Sequence, residues 1–320
     1  MPHVTHHRPS TKGRLPRIVC IVGPTSSGKT TLGLRLAKEY NGEVVNADAR
    51  QCYSDFDIGT GKPEGARGTF EGRRAFLVEG VPHYLMDFLK PTITLSVAEW
   101  REMALTAVKG IASRKHLPLV VGGTGLYVQA LIDNFSFPKV EPQPHLRKAF
   151  ESKPLTELVA LLLKLDPAAA EVVDLKNPRR VIRALEVVTF TGKSFTSQKT
   201  KGKPIVDAFQ VGIKWPRDVL YHRIDQEVED MIERGWIDEI RENVRKKIPL
   251  DAPAMTSIGY RELLGYIKGE KTLDAAIAAC KQAVRNYAKR QETWFKRDQR
   301  IHWASSQDEA AEMVEGWLRS

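Results

Sequence analysis

The sequence predicts an α/β protein, with a P-loop NTPase-like parallel-sheet core and an inserted all-helical domain. Three observations carry that prediction. Short β-branched runs (RIVCIV, EVV, LPLVV and later DAFQVGIKW) alternate with amphipathic stretches, the pattern of parallel βαβ units. The first run passes directly into Gly23-Pro24-Thr25-Ser26-Ser27-Gly28-Lys29-Thr30, which satisfies G-x-x-x-x-G-K-[ST] and opens a helix. Between Ser136 and Pro144 the prolines Pro138, Pro142 and Pro144 mark a linker, and helical periodicity takes over beyond it.

Taken in order, residues 1–16 are polar and basic with no apolar stretch behind them, so a disordered leader is expected rather than a secretory signal. Arg17 to Val22 forms the first strand, and Thr31 to Tyr40, with apolar residues at Leu32, Leu34, Leu36 and Ala37, a helix. Glu43 to Val45 is a second strand ending in Asn46-Ala47-Asp48, and Lys62 to Val81 a Gly- and Arg-rich surface excursion. Leu117 to Val121 is a third, buried-type strand that closes in Gly122-Gly123-Thr124-Gly125. Residues 136–203 form the helical insertion, with LTELVALLLKLD and PRRVIRALEVVTF as its clearest amphipathic stretches. Asp207 to Trp215 returns to a strand, followed by helices over Val219 to Lys247, Arg261 to Ile267 and Asp274 to Lys296. The core is therefore assigned to 17–135 and 204–320.

Composition narrows the function classes. No apolar run approaches the ~20 residues that a membrane helix needs. Cys20, Cys52 and Cys280 are too few and too scattered for a disulfide framework or a zinc site, which fits a reducing cytoplasm. The net charge of +10 favours polyanionic partners. On the last long helix, Lys281, Arg285 and Lys289 form a basic stripe that could grip phosphates or simply face solvent.

The chemistry centres on Gly23 to Thr30. Glycines let such a loop curl its N–H groups onto phosphate oxygens, and the following helix adds a favourable dipole. Lys29 supplies a point charge and the Thr30 hydroxyl a ligand for Mg²⁺. Nucleotide triphosphates, ATP above all, are the usual occupants. Enzymes of that kind hold Mg²⁺ with an acid at the end of a neighbouring strand, yet LPLVV ends in Gly-Gly-Thr-Gly. Asp48 ends the other strand, and its position suits a metal ligand and a general base equally.

GPTSSGKT, NADARQCYSDFDIGTGKP, LPLVVGGTGLYVQAL, NPRRVIRALEV, RIDQEVEDMIERG, IGYREL and AKRQETWFKRD occur in this order over nearly the whole chain. Together they resemble the tRNA dimethylallyltransferase (tRNA isopentenyltransferase) family. That resemblance implies transfer of a dimethylallyl group from dimethylallyl diphosphate to the exocyclic amine of the adenosine 3′ to the anticodon, with the P-loop holding diphosphate and Mg²⁺ assisting. It places Asp48 on the general base, Thr124 beside the acceptor and Arg223 near the diphosphate. It also places tRNA contacts at Asp48, Ala49, Arg50, Gln51, Thr124, Arg147, Asn177, Arg179, Arg180, Ile258, Gly259, Tyr260 and Arg261. A monomer acting on the anticodon stem-loop is implied. Ala49, Tyr84, Arg179 and Glu227 depart from residues common in that family. The rival readings are prenylation of free AMP or ATP, a P-loop small-molecule kinase, and a nucleic-acid-binding NTPase.

Overall fold

The computed structural model describes residues 15–137, 143–198 and 200–320. Residues 1–14 of the expected leader, with Pro138 and Pro142 of the expected linker, lie outside the described residues. The chain forms two compact units: residues up to Ile132 together with Ile205–Ser320, and Asp133–Pro204.

The larger unit begins with β1 (Arg17–Val22), α1 (Lys29–Glu39) and β2 (Gly42–Asn46). Next come β3 (Ala66–Phe70), β4 (Arg73–Val78) and β5 (Val81–Tyr84), then α2 (Val97–Ser113), β6 (Leu117–Gly122) and α3 (Gly125–Ile132). The smaller unit contributes α4 (Pro144–Glu151), α5 (Leu155–Leu165), α6 (Ala169–Val172), α7 (Pro178–Thr191) and α8 (Phe195–Gln198). The larger unit resumes with β7 (Asp207–Ile213), α9 (Arg217–Glu233), α10 (Trp236–Arg245) and α11 (Tyr260–Ile267), and ends with α12 (Leu273–Phe295), β8 (Ile301–Ala304) and α13 (Gln307–Arg319).

One eight-stranded sheet runs β3-β4-β5-β2-β6-β1-β7-β8. The strands from β5 to β8 in that order pair in parallel, whereas β3, β4 and β5 pair antiparallel. β1 lies between β6 and β7, with Cys20 opposite both Val120 and Gln210. Its side chains alternate between two cores, which is why the run is apolar throughout. Ile18, Cys20 and Val22 meet Trp100 and Val108 of α2 and Val128 of α3. Val19 and Ile21 meet Leu32 and Leu36 of α1 and Val314 of α13. A separate cluster of Tyr53, Phe56, Trp236, Ile240, Tyr260, Leu263 and Cys280 joins the 48–60 segment to α10, α11 and α12. All three cysteines are free and buried.

The surface excursion expected over Lys62 to Val81 is instead ordered sheet: β3 and β4 form a hairpin with Phe70 opposite Arg73. Its residues are mostly exposed or half-buried, so the sequence lacks the apolar density of a buried strand. The single helix expected over Val219 to Lys247 is two, because Gly235 adopts a left-handed φ of 98° between α9 and α10. In the smaller unit, Phe150, Leu158, Leu162, Val181 and Leu185 form a core of their own. Among the described residues, no helix is long and apolar enough to cross a membrane.

Candidate active site

The loop from Gly23 to Gly28 joins the end of β1 to the start of α1, and its shape is fixed from outside by side chains. Lys29 Nζ donates to the Pro24 carbonyl at 2.9 Å. Arg223 Nε of α9 donates to the Ser26 carbonyl at 2.8 Å, and the Trp215 indole N–H to the Ser27 carbonyl at 3.0 Å. Gln307 Nε2, at the start of α13, reaches the Gly28 carbonyl at 3.4 Å. With these carbonyls engaged, the loop's positive end is left to its N–H groups, the arrangement of an anion cradle. Ser26 (φ 58°) and Gly28 (φ 91°) take left-handed conformations to make the curl. The hydroxyls of Ser26 and Ser27 are buried without a hydrogen-bond partner. Such orphaned donors beside a P-loop suit phosphate oxygens.

Asp48 follows β2 in a loop tied tightly to the end of β6. Ala47 N donates to Val121 O at 2.7 Å, Thr124 N to Ala47 O at 3.0 Å, and Ala49 N to Thr124 Oγ1 at 3.0 Å. Asn46 closes the turn, accepting from Asp48 N at 3.0 Å and donating to Asp48 O at 3.0 Å. The Asp48 carboxylate accepts from Arg50 N through Oδ1 at 2.9 Å. The glycines of GGTG answer to these approaches. A Cβ on Gly122 would stand 2.2 Å from the Ala47 carbonyl carbon, and one on Gly125 would meet Trp294 at 2.2 Å.

The P-loop and Asp48 open onto one cavity of about 830 Å³, lined also by Thr30, Arg223, Glu227, Trp236, Ile258 and Tyr287 among others. Burial pulls the Lys29 ammonium below its ordinary value, and the Asp48 carboxylate pushes it back up. Burial, with the same carboxylate, holds the Tyr287 phenol above its usual range. His83 lies in the cavity wall, 3% exposed, with Nδ1 3.0 Å from Val81 O; burial lowers its pKa to about 4, so it is neutral near pH 7.

A second turn shapes the far wall. The N–H groups of Asp57, Ile58 and Gly59 donate to the Glu239 carboxylate at 2.7, 2.7 and 3.1 Å, and the Tyr260 hydroxyl adds a bond of 2.6 Å. Trp236 is wedged between Gly59 and Gly259: a Cβ on either would come within 1.9 Å and 2.0 Å of its indole. Lys62, buried beneath, donates to Tyr53 O at 2.7 Å and Asp87 Oδ1 at 2.6 Å, and pairs with Asp57.

Most of the expected residues in this unit meet around the cavity, but not all present a side chain to it. Thr124 is absent from the described lining, and its hydroxyl is occupied by Ala49 N; it supports the Asp48 loop. Arg50 donates to Pro253 O at 2.7 Å, and Gln51 to Gly61 O at 2.9 Å, joining the loop to the segments on either side. Within 258–261, Ile258 lines the cavity and Arg261 is exposed. Tyr260, expected as a tRNA contact, has a fully buried side chain in the helical core, and Gly259 seats Trp236. Arg223 makes no ion pair with Asp225 or Glu227, which pair with Arg285 and Arg234 respectively. The basic stripe on α12 is partly consumed, since Lys281 pairs with Glu229 and Arg285 with Asp225. Trp215, Gln291, Gln307 and Glu239 are the contributors that sequence reasoning missed. In the smaller unit, Arg147 pairs with buried Glu186 at 2.8 Å and Asn177 caps α7. Arg179 and Arg180 are exposed there. Among the described residues, no group of three or more His, Cys, Asp or Glu is placed to hold a metal.

Comparison with known proteins shows what the chain as a whole is similar to. The profile of the IPP transferase family matches residues 51–298, and that of isopentenyl transferases residues 16–81. A tRNA dimethylallyltransferase from Roseiflexus sp. is 39% identical over 310 residues, covering 94% of this chain and 98% of that protein. Another from Corynebacterium diphtheriae is 41% identical over 303 residues, 92% of this chain and 96% of that one. Among solved structures, the tRNA isopentenylpyrophosphate transferase of Bacillus halodurans superposes with a TM-score of 0.68 at 36% identity, covering 95% of this chain and 96% of that chain. A eukaryotic dimethylallyltransferase acting on tRNA gives 0.74 at 27% identity, over 93% of this chain and 77% of that chain. With a P-loop braced by its own C-terminal helices and a matching profile over well more than half its length, the chain belongs to the IPP transferase family.

Proposed function

We propose that this protein transfers the dimethylallyl group of dimethylallyl diphosphate to the exocyclic amine of the adenosine 3′ to the anticodon in tRNA, releasing diphosphate. The observation that carries the reading is the shared cavity. An anion cradle and a carboxylate open onto the same space, and Val228, Met231 and Val284 add apolar wall for a hydrocarbon chain. Phosphoryl transfer would use that carboxylate for a metal ion but would leave those apolar side chains without a task.

In this reading the bond from C1 of the prenyl group to the diphosphate oxygen breaks, and its electron pair leaves with the diphosphate. The adenine nitrogen forms the new bond to C1, and its proton passes to the Asp48 carboxylate. An exocyclic amine is a weak nucleophile, so a positioned base is worth roughly 10²–10⁴ in rate. Asp48 is suited to that role because its loop is pinned at Ala47 and Ala49, and Arg50 N holds one carboxylate oxygen. Lys29, Arg223, the loop N–H groups and the hydroxyl of Ser26 would receive the leaving diphosphate as preorganised positive charge and donors. The Thr30 hydroxyl, in the first turn of α1, would hold Mg²⁺ together with phosphate oxygens, and the ion when bound neutralises charge on the leaving group. We assign tRNA contact to the exposed Arg179, Arg180 and Arg261, to Arg147 and Asn177, and to the Asp48–Gln51 segment. The helical unit as a whole is proposed to grip the RNA stem.

The test is direct. Purified protein is mixed with dimethylallyl diphosphate, Mg²⁺ and undermodified tRNA, and the digested nucleosides are weighed by mass spectrometry. A dimethylallyl mass gain on adenosine is expected. ATP consumption without that gain would sink the proposal, and gain on AMP but not on tRNA would move the acceptor to a free nucleotide.

A further inference from the structure

Gln291, in the second half of α12, is 5% exposed and spends both ends of its carboxamide. Its Oε1 accepts from Thr25 N of the P-loop at 2.9 Å, and its Nε2 donates to Gly123 O at 3.0 Å. The fit is close, since a Cβ on Gly123 would lie 2.2 Å from that nitrogen. Thr25 belongs to the turn that would cradle the diphosphate. Gly123 belongs to the turn whose next residue, Thr124, grips the loop on both sides of Asp48 through Ala47 O and Ala49 N. One planar side chain therefore spans the donor side and the acceptor side of the reaction.

We propose that Gln291 is a positioning residue for the transfer, setting the separation between the diphosphate cradle and the Asp48 carboxylate. The inference rests on the function proposed above. It requires an acceptor and a donor on one head group at this reach, because Thr25 offers N–H and Gly123 offers C=O. Gln291→Glu tests that requirement. As a carboxylate the new side chain still accepts from Thr25 but turns a lone pair on Gly123 O. As a carboxylic acid it again offers one acceptor and one donor, and both bonds return. Tyr287, one turn earlier on α12, interacts with Gln291 through a side-chain hydrogen bond, and Tyr287 in turn senses Asp48, Arg50 and Arg290. Gln291→Leu keeps these groups and adds no charge, so its ratio to wild type reports their titration, and the difference between the two variants reports the carboxyl at 291.

Turnover of dimethylallyl diphosphate and tRNA is measured for wild type, Gln291→Glu and Gln291→Leu across the range in which the wild type is active. At the alkaline end both variants should lose about 100-fold in kcat, the order expected for a shift of about 1 Å between reacting groups, with KM for both substrates little changed. Toward the acid end, the ratio of Gln291→Glu to wild type should climb by about tenfold while that of Gln291→Leu stays flat. A flat ratio for Gln291→Glu, a loss confined to KM, or wild-type kcat in Gln291→Leu would each overturn the proposal. Should Gln291→Leu fail to fold, the climbing or flat ratio of Gln291→Glu still decides. An inactive wild type would instead overturn the function on which the proposal stands.

Discussion

Gly122→Ala is a sharp test of how the Asp48 loop is held. The added methyl would lie 2.2 Å from the Ala47 carbonyl carbon and 2.3 Å from its oxygen, whereas ordinary contact begins near 3.4 Å. No flexible side-chain end can move aside, because the obstacle is backbone. The end of β6 and residue 47 must part by more than about 1 Å. That parting strains the bonds Ala47 N to Val121 O (2.7 Å) and Thr124 N to Ala47 O (3.0 Å). Overpacking costs roughly 1–3 kcal/mol, and each lost hydrogen bond about 1 kcal/mol more. The expected loss is about 3–5 kcal/mol, a fall in Tm of roughly 10 °C. Turnover should drop further than stability implies, since displacement of the carboxylate by about 1 Å is worth about 100-fold. The assay is kcat measured well below the variant's melting midpoint, beside calorimetric Tm. Gly316→Ala, on α13 with no heavy atom within 4 Å of its added methyl, is the control and should be neutral or slightly stabilising. A Gly122→Ala protein with wild-type turnover would refute the argument that this contact fixes Asp48.

Two further outcomes follow from the same geometry. Asp48→Asn keeps an oxygen for Arg50 N but cannot take a proton; kcat should fall about 10²–10⁴-fold while tRNA binding in a filter assay holds, and full activity would end the general-base assignment. His83 is held neutral in the fold, with its pKa depressed to about 4 from an ordinary 6.5, so the unfolded chain binds its proton first. Its contribution is intact above about pH 6.5 and is lost as pH falls toward 4, up to about 3 kcal/mol by order of magnitude. His83→Asn retains a donor for Val81 O and does not titrate, so urea midpoints for the variant should depend less on pH in that window, and equal dependence would assign the acid lability elsewhere.

How far the sequence reaches depends on how local each determinant is. β1, β2, β6 and β7 are legible because strands in the middle of a parallel sheet are apolar on both faces, and the P-loop because its strand, turn and helix are contiguous. β3 and β4 escape notice because half of each faces solvent, and β5 because Pro82 interrupts a four-residue run. β8 is as short, and it pairs with β7 across the four helices α9 to α12. The same distance hides half the site. Nothing near Trp215, Gln291 or Gln307 announces a partner in the P-loop, and Glu239 reads as an ordinary helix acid until Asp57, Ile58 and Gly59 are seen to converge on it. Charge patterning misleads for a related reason. Lys281 and Arg285 look available along α12, but Glu229 and Asp225 on α9 already neutralise them.

The outward carbonyls of the P-loop have a consequence for how the protein comes into being. Trp215, Arg223, Gln291 and Gln307 are made roughly 190 or more residues after the motif, and β7, the second neighbour of β1, nearly as long after it. A growing chain therefore carries the phosphate-binding signature long before it has the means to hold it in shape. The loop is fully braced only once Gln307 has been made, so a chain that stops short of that residue presents the signature without all of its supports.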